Sequence, residues 1–181
     1  MPPVPTVGGV PSPSAGPVAL PAPTPLLGTE QGPPAGYVTM RALRVAATPQ
    51  GAAVLLVDAA GAKVVPIFIG DGEALSIHLR LSGRRAQRPL THDLMDSTLR
   101  ELGARLVHVR VDRIEGGVFF GTVVLQQGPR AIAIDARPSD AIALAVGNAV
   151  PIHVAPAVIA EAGLGAEALD APPAPEPRQT L

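Results

Sequence analysis

The chain has 181 residues, an apolar fraction of 47%, a formal net charge of −1 and no cysteine. That length allows one domain with tails, and the missing cysteine excludes a disulfide framework, a thiolate metal site and a cysteine nucleophile. Only Tyr37, Phe68, Phe119 and Phe120 are aromatic, so the core must be built from aliphatic residues and no stacking platform for bases is offered.

Proline sets the boundaries. Eleven of the 22 prolines fall in residues 1–39 and four more in 172–177, and both segments are poor in branched apolar residues. We expect a disordered tail over 1–39, a domain over 40–165 and a second disordered tail over 166–181. Met40, where the globular pattern begins, would also serve as a start. The middle segment carries 13 basic and 11 acidic residues, a weak positive balance that falls short of a nucleic-acid footprint by itself. No apolar run reaches membrane-spanning length and the N-terminus has no basic flank for a signal peptide, so a cytoplasmic protein without a membrane partner is expected.

From Met40, "MRALRVAA" and "AAVLLVDA" flank "TPQG" and read as a hairpin, followed by "KVVPIFIG" as a third strand. Pro66 within it points to an edge or a bulge. "DGEALSIHLRLSG" reads as a helix with carboxylates in its first turn and Gly83 past its end. The next helix, "THDLMDSTLRELG", places Leu94, Met95, Thr98, Leu99 and Leu102 on one face, with Thr91 as N-cap and Gly103 as stop. "ARLVHVRVDRI" alternates, with Val107, Val109 and Val111 on one side and His108, Arg110 and Asp112 on the other. Turns at "EGG" and "GP" lead through "VFFGTVVLQQ" to "RAIAIDA", as antiparallel hairpins do. A helix over "SDAIALAVG", a strand in "VPIHVA" and a last helical turn ending near Gly163 complete the pattern. The expected fold is α+β: one mixed, largely antiparallel sheet with three to four helices packed on it. A faint repeat at an offset of 67 sets Ile67 on Ile134 and Glu73 on Asp140, each copy a strand, a turn and a helix opened by a carboxylate.

Three polar clusters interrupt this frame. In "IDARPSDAIALA", helix capping accounts for Ser139 and Asp140 but not for Asp135 and Arg137. In "RPLTHD", His92 and Asp93 open a helix, where an imidazole is favoured neutral, as a general base or as a satisfied half-buried residue. In "RLSGRRAQRP", Arg80, Arg84, Arg85 and Arg88 surround a helix end, suited either to the helix dipole or to phosphate. His78, His108 and His153 have no metal-ligand spacing.

"VVPIFIGDGEALSI", "RPLTHDLM" and "IDARPSDAIALA", in this order and spacing, closely resemble the bifunctional nuclease family, from about Met40 to Leu164. That family covers small bacterial proteins and plant relatives associated with DNase and RNase activity. The resemblance implies an α+β fold and a nuclease acting on DNA or RNA, at the matching positions Glu73, His92, Asp93, Asp135, Arg137, Ser139 and Asp140. The basic "GRRAQR" loop departs from the family pattern.

On this reading the three clusters converge at the strand ends. His92 and Asp93, with Asp135, Arg137 and Asp140, form the catalytic group, His92 as general base and Arg137 on the phosphate oxygens. Arg84, Arg85, Arg88 and Ser139 bind substrate. Glu73, Asp135 and Asp140 hold a divalent cation, Mg²⁺ or Mn²⁺. The competing reading is a non-enzymatic ligand-binding or regulatory module, with Arg137 bridging carboxylates to lock the strand-to-helix turn. Self-association as a homo-oligomer is compatible with either.

Overall fold

A computed structural model describes residues 34–170 and the backbone of a strand at 24–26. The tails expected at 1–39 and 166–181 lie largely outside the described residues. Within the former, Thr24–Leu26 forms β1 and pairs antiparallel with residues 131–133.

Alternation of side chains across a strand builds two three-stranded meanders. The first joins β2 (Val38–Thr48), β3 (Gly51–Asp58) and β4 (Val64–Ile69), all antiparallel. In β3, Val54 and Leu56 enter the main core while Leu55 and Val57 enter a smaller one on the opposite face. Burial on both faces explains why this strand reads as an unbroken apolar run. The small core is closed by Ala168 and Leu169 of a 3-10 turn at Ala166–Asp170, held by Arg44 donating Nη2–H to the Leu169 carbonyl at 2.6 Å. Pro66 sits opposite Leu55 in β4, an edge strand, where a residue without an N–H is tolerated.

The second meander joins β5 (Ala104–Glu115), β6 (Val118–Gln127) and β7 (Arg130–Ala136). A register shift between Leu106 and His108 changes the expected alternation: Leu106, Val109 and Val111 supply the core, and Val107 does not. The extra residue of a bulge exchanges faces for everything before it. β8 (Ile152–Val154) joins the two meanders, antiparallel to β2 and parallel to β5. The sheet is therefore mixed, in the order β1-β7-β6-β5-β8-β2-β3-β4. The ordered sheet starts ahead of Met40, since Val38 and Thr39 pair with β8 and the Tyr37 hydroxyl donates to Asp112 Oδ1 at 2.8 Å.

Each meander feeds a helix: α1 (Asp71–Leu81) after β4 and α3 (Pro138–Asn148) after β7. These pack on one face over the main core, through Ala74 and Ile77 from α1 and Ala141, Ile142, Ala143, Leu144 and Ala145 from α3. The helix α2 (Thr91–Glu101) lies beside α3, and α4 (Pro156–Ala162) adds Val158. The fold is α+β, one domain with a mixed sheet and four α-helices among the described residues.

Two helix starts and one helix face differ from the sequence expectation. Leu90, not Thr91, caps α2, and its backbone N–H is taken by the Asp93 carboxylate at 2.9 Å. Arg137, not Ser139, caps α3, because Pro138 belongs at the first helical position, where no N–H is needed. The α2 stripe expected to pack turns outward: Leu94 and Leu102 are 64% and 63% exposed, and Met95 is also exposed. His92 is the buried residue of that helix, and Leu99 is the one stripe member against the core. The pull of Arg80 on Asp93 and Asp96, described next, rotates α2 to this orientation.

Candidate functional site

The faint repeat is a property of the fold. At the offset of 67, the N-cap Gly70 of α1 corresponds to the N-cap Arg137 of α3, and Glu73 corresponds to Asp140, both third in their helices. Because α1 and α3 lie side by side, these equivalent carboxylates come close. Arg137 joins them: Nη2 donates to Glu73 Oε1 at 2.5 Å and to Asp140 Oδ1 at 2.9 Å, while Nε donates to Asp140 Oδ2 at 2.7 Å. Gly70 leaves room for the arrangement, since a Cβ there would meet Glu73 Oε2 at 2.7 Å.

His92, from the first turn of α2, completes the group with Nε2 3.2 Å from Asp140 Oδ1. Its burial excludes most water, and Asp140 as neighbour favours the tautomer with a proton on Nε2, which leaves Nδ1 as the basic nitrogen. Arg137 is the exposed member, its side chain 67% accessible, and among the described residues its Nη1 has no partner. Burial pushes the Asp140 carboxyl up, but Arg137 and then His92 outweigh it and hold the group below the usual carboxylate range. Asp140 is the link between the imidazole and the guanidinium.

The sequence-expected residues divide into three groups. Glu73, His92, Arg137 and Asp140 converge as described. Asp93 points away from them, to Arg80 Nη2 at 2.8 Å. Asp135 stands exposed on β7 opposite Thr122, and no hydrogen bond or ion pair ties it to the cluster. Ser139 is buried in the first turn of α3. Arg84, Arg85 and Arg88 are all exposed on the loop between α1 and α2, and Arg84 and Arg85 line a cavity beside Asp93. The three carboxylates expected to share a cation are thus not assembled: among the described residues no three His, Asp or Glu side chains are grouped to hold a metal.

A second arginine joint was only half legible. Arg80, near the end of α1, is nearly buried and reaches Asp93 and Asp96 of α2 at 2.8 and 2.9 Å and the Ala143 carbonyl of α3 at 3.3 Å. Its repeat equivalent is Gly147, and a Cβ there would collide with the Arg80 guanidinium. Asn148 donates to the other Asp96 oxygen at 2.7 Å. Arg80 stands out within the basic run, but Asp96 and Asn148 carry no sequence signal. The glycine opposite Arg80 at the repeat offset is the one clue to this contact.

The match to known proteins follows the same span. Residues 54–167 match the family model described as the bifunctional nuclease domain. Over 129 residues the chain is 39% identical to two proteins of Mycobacterium tuberculosis, Uncharacterized protein MT1877 and Uncharacterized protein Rv1829, covering 71% of this chain and 77% of each relative. The matched span includes every residue of the Glu73–His92–Arg137–Asp140 cluster and of the Arg80 joint. This chain belongs to the bifunctional nuclease domain family.

Proposed function

We propose that the chain hydrolyses phosphodiester bonds in DNA or RNA, with the His92–Asp140 pair and Arg137 as its working groups. The observation that carries the reading is a buried imidazole fixed by a carboxylate, next to an exposed guanidinium with one nitrogen still open. Hydrolysis needs a base for water and a positive group for the charge that builds on the phosphate oxygens. His92 Nδ1 supplies the first. Arg137 Nη1 supplies the second, in the planar geometry that suits phosphate. The first turns of α1, α2 and α3 add the partial positive charge of helix N-termini. Arg84, Arg85 and Arg88 extend the contact along a nucleic-acid backbone.

A cation such as Mg²⁺ or Mn²⁺ fits the donor set poorly. Two carboxylates are present, both already hold Arg137, and Asp135 is not with them.

The competing reading, a non-enzymatic ligand-binding or regulatory module in which Arg137 is a structural clasp, is supported by a different observation: Arg137 bonds both carboxylates and so ties α1 to α3. A nuclease assay on the full chain separates the two. Single-stranded DNA, duplex DNA and RNA are each offered with Mg²⁺ or EDTA to the parent, His92→Ala and Asp140→Asn. The expected result is cleavage that falls by about 10²–10⁴-fold in His92→Ala and is lost in Asp140→Asn, with circular dichroism unchanged. Cleavage absent from the parent, or equal in all three proteins, leaves the clasp and removes the enzyme.

A further inference from the structure

A cavity of about 520 Å³ opens on the far side of the α2 start from His92, between the end of α1, the basic loop, α2 and the end of α3. Its volume lies within the range of small-molecule sites and far exceeds that of a phosphate ion. Four arginines line it, Arg80, Arg84, Arg85 and Arg100, against two carboxylates, Asp93 and Asp96. Arg85 and Arg100 are exposed members of this lining.

The wall is built rather than incidental. Arg80 is 10% exposed in its side chain and anchored to Asp93 and Asp96 of α2 and to the Ala143 carbonyl of α3, so the helices that frame the cavity are cross-tied. One turn before it on α1, Ser76 also lines the cavity; the residue is 2% exposed, and its buried hydroxyl has no hydrogen-bond partner among the described residues. An unmet buried hydroxyl is costly and uncommon, and a polar ligand beside it accounts for the group. Ser97 and Asn148 add neutral hydrogen-bonding groups to the lining.

We infer that this cavity binds a phosphomonoester of nucleotide size, its phosphate between Arg85 and Arg100 and its nucleoside against the Ser97, Asn148 and aspartate side. Asp93 and Asp96 suit sugar hydroxyls, which donate, while Arg80 compensates their charge. The ligand is either a free mononucleotide or the phosphorylated end of a strand, since both present the same chemistry. This deepens the role of Arg85 as a phosphate contact, yet it requires no cleavage and none of His92, Asp140 or Arg137.

The test is titration calorimetry on the full chain with adenosine 5′-monophosphate, adenosine, and a short oligonucleotide with or without a 5′-phosphate. Saturable binding of the monophosphate is expected, at least tenfold weaker for adenosine and at least tenfold weaker in the double variant Arg85→Ala/Arg100→Ala. Both substitutions are of exposed side chains, and Ser76→Ala supplies a variant that removes the buried hydroxyl at little risk to folding. Ser76→Ala should weaken the monophosphate severalfold and leave adenosine unaffected. A phosphorylated oligonucleotide tighter than the monophosphate assigns the site to strand ends, and the reverse order assigns it to free nucleotides. No saturable binding, equal binding of adenosine, or full affinity in the arginine double variant overturns the inference. His92→Ala, which tests cleavage, should bind the monophosphate as the parent does, so failure of one reading is distinguishable from failure of the other.

Discussion

His108 lies on β5 at 2% exposure, and neither ring nitrogen has a hydrogen-bond partner among the described residues. Burial, then the neighbouring His153 and Arg110, push its pKa down to about 4, with Asp112 opposing weakly. The folded value is below the ordinary 6.5, so the unfolded chain binds the extra proton first. Stability from this group is therefore complete above pH 6.5 and is lost as pH falls toward 4. Between pH 7 and pH 5 the loss is about 2 kcal/mol. Denaturant unfolding at the two pH values should show it in the parent and show it reduced by that amount in His108→Leu. His153, 5.1 Å away and also shifted down by burial and Arg110, keeps part of the dependence in the variant. Identical pH slopes in parent and variant would show that His108 is not held neutral. In the sequence His108 appears only as one polar residue on an alternating strand. Its burial depends on the joining of two meanders by β8, which no local pattern announces.

At the scale of the element, α2 is the helix whose pattern and packing disagree. Its apolar stripe of Leu94, Met95 and Leu102 is the most regular in the chain, yet these three side chains face out. An amphipathic pattern reports which face is apolar, not which face a neighbour will hold. Here two ion pairs to a nearly buried arginine, together with the His92–Asp140 contact, decide the rotation. Leu94→Gln/Leu102→Gln should shift the unfolding free energy by no more than roughly 0.5 kcal/mol, as exposed positions do. A loss of about 2 kcal/mol or more per leucine, the size expected from a packed side chain, would mean that the stripe is covered. By contrast α1 and α3 were well marked, because their starts carry carboxylates and a proline and their apolar residues lie against a sheet. The helix-start residues were misplaced by one or two positions, a small error in chain terms that nonetheless changes which side chain caps and which reaches across.

Across the whole molecule, two arginines at repeat-related ends of the α1–α3 pair hold the helical layer. Arg137 joins the N-terminal ends and remains exposed, while Arg80 joins the C-terminal ends and α2 and is nearly buried. The exposed joint contributes little to stability because water screens it, and the buried one contributes more because its loss strands two carboxylates. Arg80→Met should lower the unfolding free energy by about 2–3 kcal/mol, below the range for a wholly buried pair since Asp93 is half exposed. The second substitution Asp96→Asn in that background should recover part of the loss. Equilibrium unfolding in urea measures both, and an Arg80→Met protein as stable as the parent would show that the joint does not hold the helical layer.

Local chemistry written into single segments was sufficient for the strands from β2 onward, the helices, the α+β class and the polar identity of Glu73, His92, Arg137 and Asp140, but not for β1 in the proline-rich segment. Alternation, helix-start carboxylates and turn glycines act within a few residues and need no partner to be recognised. Which polar residues meet was decided by tertiary structure alone. Side-by-side packing of α1 and α3 brings Glu73 and Asp140 to one arginine, and the turn of α2 sends adjacent His92 and Asp93 to different partners. Asp135, two residues from Arg137 in sequence, is left outside, because position on a strand carries it away from the helix ends. Such contacts span tens of residues of chain, and their geometry exists only once the sheet has set the distance and rotation of the helices upon it.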